Sequence, residues 1–218
     1  MRIIECRQQT EEWESLRNRP TCSEFFRFCS PVEGKYAAGS TKYAAKIVAK
    51  RLGVYTEPPP SWDMDWGIEH EPNARHWYSN TFGPVRQAGF VLPDDTDTFG
   101  GSPDGLVGDS GIIEIKCPRS DILIMYHAEG VVPACYRPQI QGLLLVTGRE
   151  WCDFVAWHPE LTPFVFRVAA DPGYQAKILD CLSKLLKEIE HIESLVRKER
   201  HKLISVGTSK SEVRFTDE

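Results

Sequence analysis

The stretch that decides the fold runs from Gly101-Ser102-Pro103-Asp104-Gly105-Leu106-Val107 through Gly108-Asp109-Ser110-Gly111 to Ile112-Ile113-Glu114-Ile115-Lys116. Two short apolar segments separated by a turn rich in Gly and Asp predict adjacent strands of a hairpin. Facing residues of such a pair lie about 5 Å apart, so the hairpin brings Asp104 and Glu114 side by side. Because side chains alternate along a strand, Lys116 points to the same face as Glu114, and Ile115 points to the opposite face.

The charged residues of this hairpin have the chemistry of a site for phosphodiester hydrolysis. That reaction needs a metal ion and an activated water, and Mg²⁺ is bound by carboxylates, waters and phosphate oxygens. Asp104, Glu114 and the backbone carbonyl of Ile115 supply oxygen ligands, and Lys116 supplies an ammonium group for the attacking water. Glu114 and Lys116 also interrupt an apolar run, and charged side chains are rarely buried without a partner or a task.

These residues also have ordinary structural interpretations. An Asp before Gly is often a turn residue, and Glu-x-Lys on a strand is often a solvated ion pair. The small residues from Gly100 to Gly105 favour the functional interpretation, because a ligand can approach them closely. The spacing of the three charges alone predicts a metal-dependent phosphodiesterase and nothing more specific.

The flanking sequence predicts helices and strands around this hairpin. Helices are expected at 11–18, 40–52, 64–81, 121–129 and 133–147, and further strands at 85–92, 98–101, 151–157 and 163–169. Pro72 is unfavourable inside a helix, so the third helix should begin there or kink. Apolar residues from Ile178 to Val196 recur in steps of four and three, which predicts a long amphipathic helix packed on the sheet rather than a coiled coil. We therefore predict one α/β domain over residues 1–204, with a mixed central sheet flanked by helices, and a polar tail at 205–218.

Composition restricts the class of protein. The chain has 218 residues, of which 41% are hydrophobic and 26% charged, as in an ordinary globular domain. No apolar run reaches the roughly 20 residues that span a bilayer, and no signal peptide is evident, so a cytoplasmic protein without membrane contact is expected. Seven dispersed cysteines without a Cys-x-x-Cys pair predict reduced thiols, not disulfides or metal ligands. With a formal net charge of −5, any contact with DNA would depend on a local basic patch or a bound metal.

Five motifs resemble, in order, those of the phage lambda-type alkaline exonucleases, a viral recombinase family of the restriction-endonuclease-like, or PD-(D/E)XK, nucleases. The motifs are Trp13-x-x-Leu16-Arg17 with Thr21-x-Ser23, Trp66-Gly67-x-x-x-Glu71-x-x-Ala74-Arg75, Ser102-Pro103-Asp104-Gly105, Glu114-Ile115-Lys116-Cys117-Pro118 and Tyr136-x-x-Gln139-Ile140-Gln141. The first motif is one residue tighter than in the lambda enzyme. The resemblance covers roughly residues 10–170.

The resemblance implies a restriction-endonuclease-like core and a Mg²⁺-dependent enzyme that digests one strand of linear double-stranded DNA from 5′ to 3′. The remaining 3′ overhang would serve recombination through a single-strand annealing protein. Also implied are a ring-shaped homotrimer that threads duplex DNA, and a phage or prophage gene expressed in the cytoplasm of a bacterial host.

The resemblance also assigns roles to individual residues. Asp104, Glu114 and the Ile115 carbonyl would bind one Mg²⁺, and Glu71 with Asp104 would hold a second, with Mn²⁺ as an alternative metal. Lys116 would position the nucleophilic water. The 5′-terminal phosphate would be bound by a guanidinium, two hydroxyls and an amide, from Arg17, Ser23, Ser102 and Gln139.

Some of these residues have competing interpretations. Glu71 precedes Pro72 and is also typical of the first turn of a helix, and Arg17 is also typical of an exposed helix end. Gln139 and Gln141 are two residues apart, so they cannot both face the site, and Gln139 is preferred.

Other features leave the function open as well. Three tryptophans, Trp62, Trp66 and Trp77, are expected in the core rather than as base-stacking platforms, and the loop 54–62 is a candidate wedge for strand separation. The alternative functions are another PD-(D/E)XK endonuclease or repair nuclease, or a catalytically inactive DNA-binding module.

Overall fold

A five-stranded mixed sheet forms the centre of the protein, with the strand order β2-β4-β5-β6-β7. The structure is a computed structural model, which describes residues 1–205 and the side chains of residues 1–199. The strands are β2 (Val85–Arg86), β4 (Gly105–Val107), β5 (Gly111–Lys116), β6 (Trp151–His158) and β7 (Leu161–Ala169). Strands β4 and β5 form the predicted antiparallel hairpin, with Gly105 opposite Ile113. Strand β5 is parallel to β6, so the connection between them crosses over the sheet.

Helices cover both faces of this sheet. They are α1 (Glu11–Leu16), α2 (Ser40–Arg51), α3 (Trp62–Phe82), α4 (Ser120–Glu129), α5 (Arg137–Thr147) and α6 (Pro172–Ser205), with short 3₁₀ helices at Cys22–Arg27 and Ala134–Tyr136. On one face, Ile112 and Phe154 belong to a core that includes residues of α2, α5 and α6. On the other face, Ile113 packs with Ala74 and Tyr78 of α3. The predicted fold class, a mixed sheet flanked by helices, is therefore confirmed.

The apolar stripe of α6 is buried in the domain. Ile178, Leu182, Leu185 and Ile189 are each at most 3% exposed and join the main core. Farther along, Leu195 and Val196 are exposed. The interpretation of this stripe as a surface packed within the domain, and not a coiled-coil seam, is thus confirmed for its first three turns.

The predicted strand at 85–92 is wrong as a single element. Its end, β3 (Phe90–Leu92), leaves the main sheet and pairs with an N-terminal strand, β1 (Arg2–Ile4), that the pattern did not predict. Gly89 permits this change of partner, because a Cβ there would lie 2.3 Å from the carbonyl oxygen of Ile4. The expected strand at 98–101 is also wrong, since Gly100 and Gly101 make only isolated bridges.

Helix α3 passes through Pro72 without a break in its assignment, so the predicted start at Pro72 is wrong. The helix begins one residue after Ser61, whose Oγ accepts a hydrogen bond of 3.3 Å from the Met64 N–H and caps the first turn. Proline removes the donor for the carbonyl of Ile68. Ile68 is exposed, so water can satisfy that carbonyl.

Two further expectations concern the chain as a whole. All seven cysteines are free, as predicted. In the part of the chain that the structure describes, no helix has the length and apolar content to cross a bilayer. The predicted boundary between a domain at 1–204 and a tail at 205–218 stays a prediction, because almost all of that tail lies outside the described residues.

Candidate active site

The hairpin of β4 and β5 brings Asp104, Glu114 and Lys116 together as their spacing predicted. Asp104 Oδ2 accepts a hydrogen bond of 2.6 Å from the backbone N–H of Ile115, which fixes the carboxylate against the neighbouring strand. The Lys116 ammonium lies 2.5 Å from Glu114 Oε1, so the two side chains share one face of β5. Glu114 is 1% exposed, so its carboxyl group is buried and pairs with Lys116.

The environment of these groups disfavours two adjacent negative charges. Burial, together with the charge of Glu114, raises the pKa of Asp104 well above its usual value, and burial also raises the pKa of Glu114. Although burial opposes it, the attraction of Glu114 and Asp104 raises the pKa of Lys116, which therefore remains a cation at neutral pH.

An unsatisfied oxygen at this cluster matches the donor set of a divalent cation. Glu114 Oε2 is buried and has no hydrogen-bond partner, although a buried carboxylate oxygen ordinarily has one. A hard cation bound to Asp104 and Glu114 would satisfy that oxygen and neutralise the repulsion between the carboxylates. The residues therefore fit Mg²⁺.

Glu71 reaches the same region from α3. Its carboxylate pairs with the guanidinium of Arg75, one turn farther along the helix, and Arg75 Nε donates a bond of 2.9 Å to the carbonyl oxygen of Asp104. Among the described residues, no three His, Cys, Asp or Glu side chains are grouped to hold one ion. Glu71 is therefore near the hairpin but engaged with Arg75, and its role toward a second metal stays a prediction.

A cavity of about 200 Å³ adjoins the carboxylates. It is lined by every side chain that sequence reasoning assigned to the site, namely Arg17, Ser23, Glu71, Ser102, Asp104, Glu114, Lys116 and Gln139, and also by Ile115. Arg17 is mostly buried, with 19% of its side chain exposed, and its Nε has no hydrogen-bond partner, although it lies 3.6 Å from Glu14 Oε2 in an ion pair. Because Glu14 is 43% exposed and lies beyond hydrogen-bond distance, the Arg17 guanidinium remains available to an anion in this cavity.

The two glutamines of α5 have different environments. Gln139 Nε2 donates a bond of 2.5 Å to Glu114 Oε1, so it faces the carboxylates. Gln141 is buried and points away, since it donates to the Ala169 carbonyl and accepts from the Asp171 N–H, each at 2.8 Å. The i, i+2 spacing separates the two side chains on the helix surface, as expected.

Beside the cavity lies a wider groove of about 1040 Å³. Its lining includes Pro58–Pro60 and residues of α3, together with Lys116, Arg119, Tyr126 and Tyr136. Trp62 is 60% exposed next to these prolines, so its predicted place in the core is wrong. The first turn of α3 is exposed, and the Trp62 ring stacks on Trp66, with 5.3 Å between centroids, instead of entering the core.

Sequence reasoning gave no role to three residues at this site. Trp13 donates its indole N–H to Ser102 Oγ at 2.9 Å, Arg75 joins Glu71 to the Asp104 backbone, and Gln8 lines the cavity. Two of these had a signal in the sequence, because Trp13 and Arg75 each lie four residues from a site residue on a helix, Arg17 and Glu71 respectively. Gln8 had no such signal.

Comparison with known proteins agrees with this geometry. The structure superimposes on an alkaline exonuclease, LHK-Exo, from Laribacter hongkongensis with a TM-score of 0.80 and 33% identity, covering 89% of this chain and 100% of that chain. LHK-Exo in complex with dAMP superimposes with a TM-score of 0.79 and 34% identity, and the coverage of the two chains is the same. A phage-related exonuclease from Haemophilus somnus 129PT shares the fold, with a TM-score of 0.67, 14% identity, and coverage of 83% of this chain and 96% of that one. No curated protein sequence matches significantly.

The fold, the buried charges and these similarities define the class of protein first: the chain is a nuclease. Residues 12–150, which make up well over half of the chain, match the family model of the YqaJ-like viral recombinase domain. The protein belongs to the YqaJ-like viral recombinase family, and the predicted resemblance to lambda-type exonucleases is confirmed.

Proposed function

We propose that this deoxyribonuclease uses Mg²⁺ to digest one strand of linear double-stranded DNA from the 5′ end and leaves a 3′ overhang. The observation that carries the proposal is the small cavity in which Arg17 and the Asp104–Glu114 pair line one space. A continuous strand must both enter and leave a site, whereas a terminal phosphate only needs to enter. A pocket for an anion directly beside the hydrolytic groups therefore favours the end of a strand as substrate.

The roles proposed for the residues follow from their chemistry. Asp104, Glu114 and the carbonyl of Ile115 would hold Mg²⁺, which when bound neutralises the scissile phosphate and lowers the pKa of a bound water. Lys116, kept cationic by its carboxylate neighbours, orients that water and stabilises the charge that develops on the phosphate. Gln139 holds Glu114 in place through its amide N–H. Glu71 is proposed to join Asp104 at a second ion, with Mn²⁺ as an alternative metal.

The proposed pocket for the 5′-phosphate consists of Arg17, Ser23, Ser102 and Gln139. Charge-assisted hydrogen bonds from a guanidinium, together with hydroxyl and amide donors, suit a terminal phosphate better than a neutral hydroxyl end. Binding the terminal phosphate would set the next phosphodiester bond at the carboxylates, which gives the 5′-to-3′ direction. That LHK-Exo has been crystallised with dAMP, a mononucleotide, supports an enzyme that releases single nucleotides.

Assembly and partners complete the proposal. A net charge of −5 does not retain a protein on DNA by electrostatics, so we propose a ring-shaped homotrimer that encloses the duplex and a single-strand annealing protein that receives the overhang. The family supports a role in phage-type recombination. A mass in solution of three chains of 24.8 kDa would support the ring, and a mass of one chain would contradict it.

The direction of digestion is tested with duplex DNA labelled at either the 5′ or the 3′ end. Linear and circular substrates are incubated with the enzyme in Mg²⁺ or EDTA. We expect early release of the 5′ label as mononucleotide, retention of the 3′ label in single strands, and no reaction on circles or in EDTA. Cleavage of circles would instead identify an endonuclease, early release of the 3′ label would reverse the direction, and binding without cleavage would identify an inactive DNA-binding module.

A further inference from the structure

Trp13 contacts two of the residues that line the proposed phosphate pocket. Its indole N–H donates a hydrogen bond of 2.9 Å to Ser102 Oγ. Its ring packs against the guanidinium of Arg17, whose Cζ lies 4.3 Å from the ring centroid. Trp13 also lines the 200 Å³ cavity itself. One side chain therefore contacts both the cation of the pocket and one of its hydroxyls.

Helix α1, which carries Trp13, has little else to hold it in position. It has six residues, none of them buried, and Arg17 is its C-cap. Its Glu14 forms ion pairs with Lys50 at 3.3 Å and with Arg17 itself at 3.6 Å, but Glu14 is 43% exposed and such pairs contribute little. Just beyond α1, the Asn18 carbonyl accepts a hydrogen bond of 3.1 Å from Arg51 Nε, whereas Trp13 joins α1 directly to Ser102. The position of Arg17 relative to Ser102 therefore depends in part on the Trp13 side chain.

The two contacts of Trp13 also prepare both groups to bind an anion. Ser102 Oγ accepts the indole N–H, so the hydroxyl proton of Ser102 remains available for another acceptor. The face of an aromatic ring attracts a guanidinium without neutralising it, and Arg17 Nε makes no hydrogen bond, since the Glu14 carboxylate with which it forms an ion pair lies 3.6 Å away. The Ser102 hydroxyl and the Arg17 Nε–H can therefore bind an anion without first breaking a hydrogen bond.

We propose that Trp13 is a positioning residue that sets the preference for 5′-phosphorylated ends by orienting the Ser102 hydroxyl and holding the Arg17 guanidinium toward the cavity. This inference rests on the proposed exonuclease function, because it assumes that the cavity receives the 5′-phosphate. Trp13 acts through Arg17 and Ser102 and does not itself bind the metal or the scissile bond.

The test compares Trp13→Phe and Trp13→Leu with the unchanged enzyme on duplexes with 5′-phosphate or 5′-hydroxyl ends. Phe keeps an aromatic ring beside Arg17 but lacks the N–H, whereas Leu lacks both. Trp13→Leu should lower the phosphate-to-hydroxyl ratio of kcat/KM about tenfold or more, mainly through KM on phosphorylated ends. Trp13→Phe should lower the ratio less, and either variant should reduce rates on hydroxyl ends less than rates on phosphorylated ends.

Matched variants separate this role from a merely structural one. Trp77→Phe makes the same type of change at a partly buried tryptophan outside the cavity, and should leave the ratio unchanged. Trp13→Phe and Ser102→Ala remove the same hydrogen bond, so their effects on the ratio should be less than additive in the double variant. Thermal unfolding checks that each variant is folded, and Trp13→Phe carries the test if Trp13→Leu does not fold.

Arg17→Ala, measured in parallel, distinguishes a failure of the role of Trp13 from a failure of the proposed phosphate pocket. If Arg17→Ala lowers the ratio while neither Trp13 variant does, the role of Trp13 is refuted and the phosphate pocket stands. Equal losses on both kinds of end, or additive effects of Trp13→Phe and Ser102→Ala, would also refute it. If Arg17→Ala itself leaves the ratio unchanged, the phosphate pocket is wrong and the role of Trp13 is lost with it.

Discussion

The backbone N–H of Ile115 donates a hydrogen bond of 2.6 Å to Asp104 Oδ2, and this bond joins the start of β4 to the end of β5. It fixes the Asp104 carboxylate between the two charged side chains of β5, Glu114 and Lys116. A carboxylate held by the backbone of the next strand needs no rearrangement before it binds a cation, which is the preorganisation that catalysis requires. The chemistry of the site thus follows directly from the register of one hairpin.

The first prediction concerns the recognition of the strand end by Arg17. Arg17→Ala should lower the preference for 5′-phosphorylated over 5′-hydroxyl ends about tenfold to a hundredfold, because it removes a charge-assisted hydrogen bond. Rates on both ends, measured under single-turnover conditions, give the ratio. Arg27→Ala is the control, since Arg27 pairs with Glu24 and lines the wide groove but not the cavity. An unchanged ratio in Arg17→Ala would refute the pocket.

A second prediction separates the two glutamines of α5. Gln139→Ala should reduce the cleavage rate with little loss of stability, because Gln139 contacts Glu114 in the partly open cavity. Gln141→Ala should instead destabilise the fold by about 1–3 kcal/mol, because Gln141 is buried and its amide bonds both the Ala169 carbonyl and the Asp171 N–H. Urea unfolding and cleavage assays on both variants test this division, and the opposite pattern would contradict it.

The glycine beside Ser102 gives a third prediction. A Cβ at Gly101 would lie 2.7 Å from Cys22 Sγ and 2.9 Å from Leu143 Cδ2, both in the core. Gly101→Ala should therefore cost about 1–3 kcal/mol of unfolding free energy. Gly67 lies within α3, where a Cβ would meet nothing within 4 Å, so Gly67→Ala should stabilise the protein by about 0.5–1 kcal/mol. Urea unfolding measures both, and equal stability of the two variants would contradict the packing described.

Metal binding gives a fourth prediction that does not depend on cleavage. Without DNA, Mg²⁺ should raise the melting temperature, since an ion bound only to the folded state at a hundred times its Kd adds about 2.7 kcal/mol of stability. Glu114→Gln should lose most of this increase, because Glu114 supplies the buried oxygen that has no other partner. Arg27→Ala should keep it. An equal increase in Glu114→Gln would mean that Mg²⁺ binds elsewhere.

Local patterns in the sequence were sufficient to predict the hairpin of β4 and β5 and the positions of its charged residues. The turn at Gly108–Gly111 sets the register of β4 and β5, and strand alternation then assigns Glu114 and Lys116 to one face and Ile115 to the other. The apolar stripe of α6 could also be predicted, because its apolar residues follow the period of the helix. These features depend only on residues that lie close together in the sequence.

The features that could not be predicted depend on distant parts of the chain. The pairing of Phe90–Leu92 with Arg2–Ile4 joins segments almost ninety residues apart, and no periodicity within either segment identifies its partner. The hydrogen bond between Trp13 and Ser102 likewise joins residues 89 positions apart in the sequence. The exposure of Trp62 depends on which turns of α3 are covered by the rest of the domain, and the sequence of the helix alone does not reveal this. Residue chemistry therefore predicted the candidate site, whereas the residues that surround it could be found only from the tertiary structure.

The most direct test of the central claim is the cleavage rate of Asp104→Asn on linear duplex DNA in Mg²⁺. Asn keeps an oxygen that accepts the Ile115 N–H but removes the charge that would bind the metal. It also removes a charge that burial and Glu114 both disfavour, so thermal unfolding in EDTA should show a variant at least as stable as the unchanged protein. The account predicts a folded protein without detectable cleavage. Cleavage by Asp104→Asn at a rate close to that of the unchanged enzyme would contradict the assignment of the Asp104, Glu114 and Lys116 cluster as the active site.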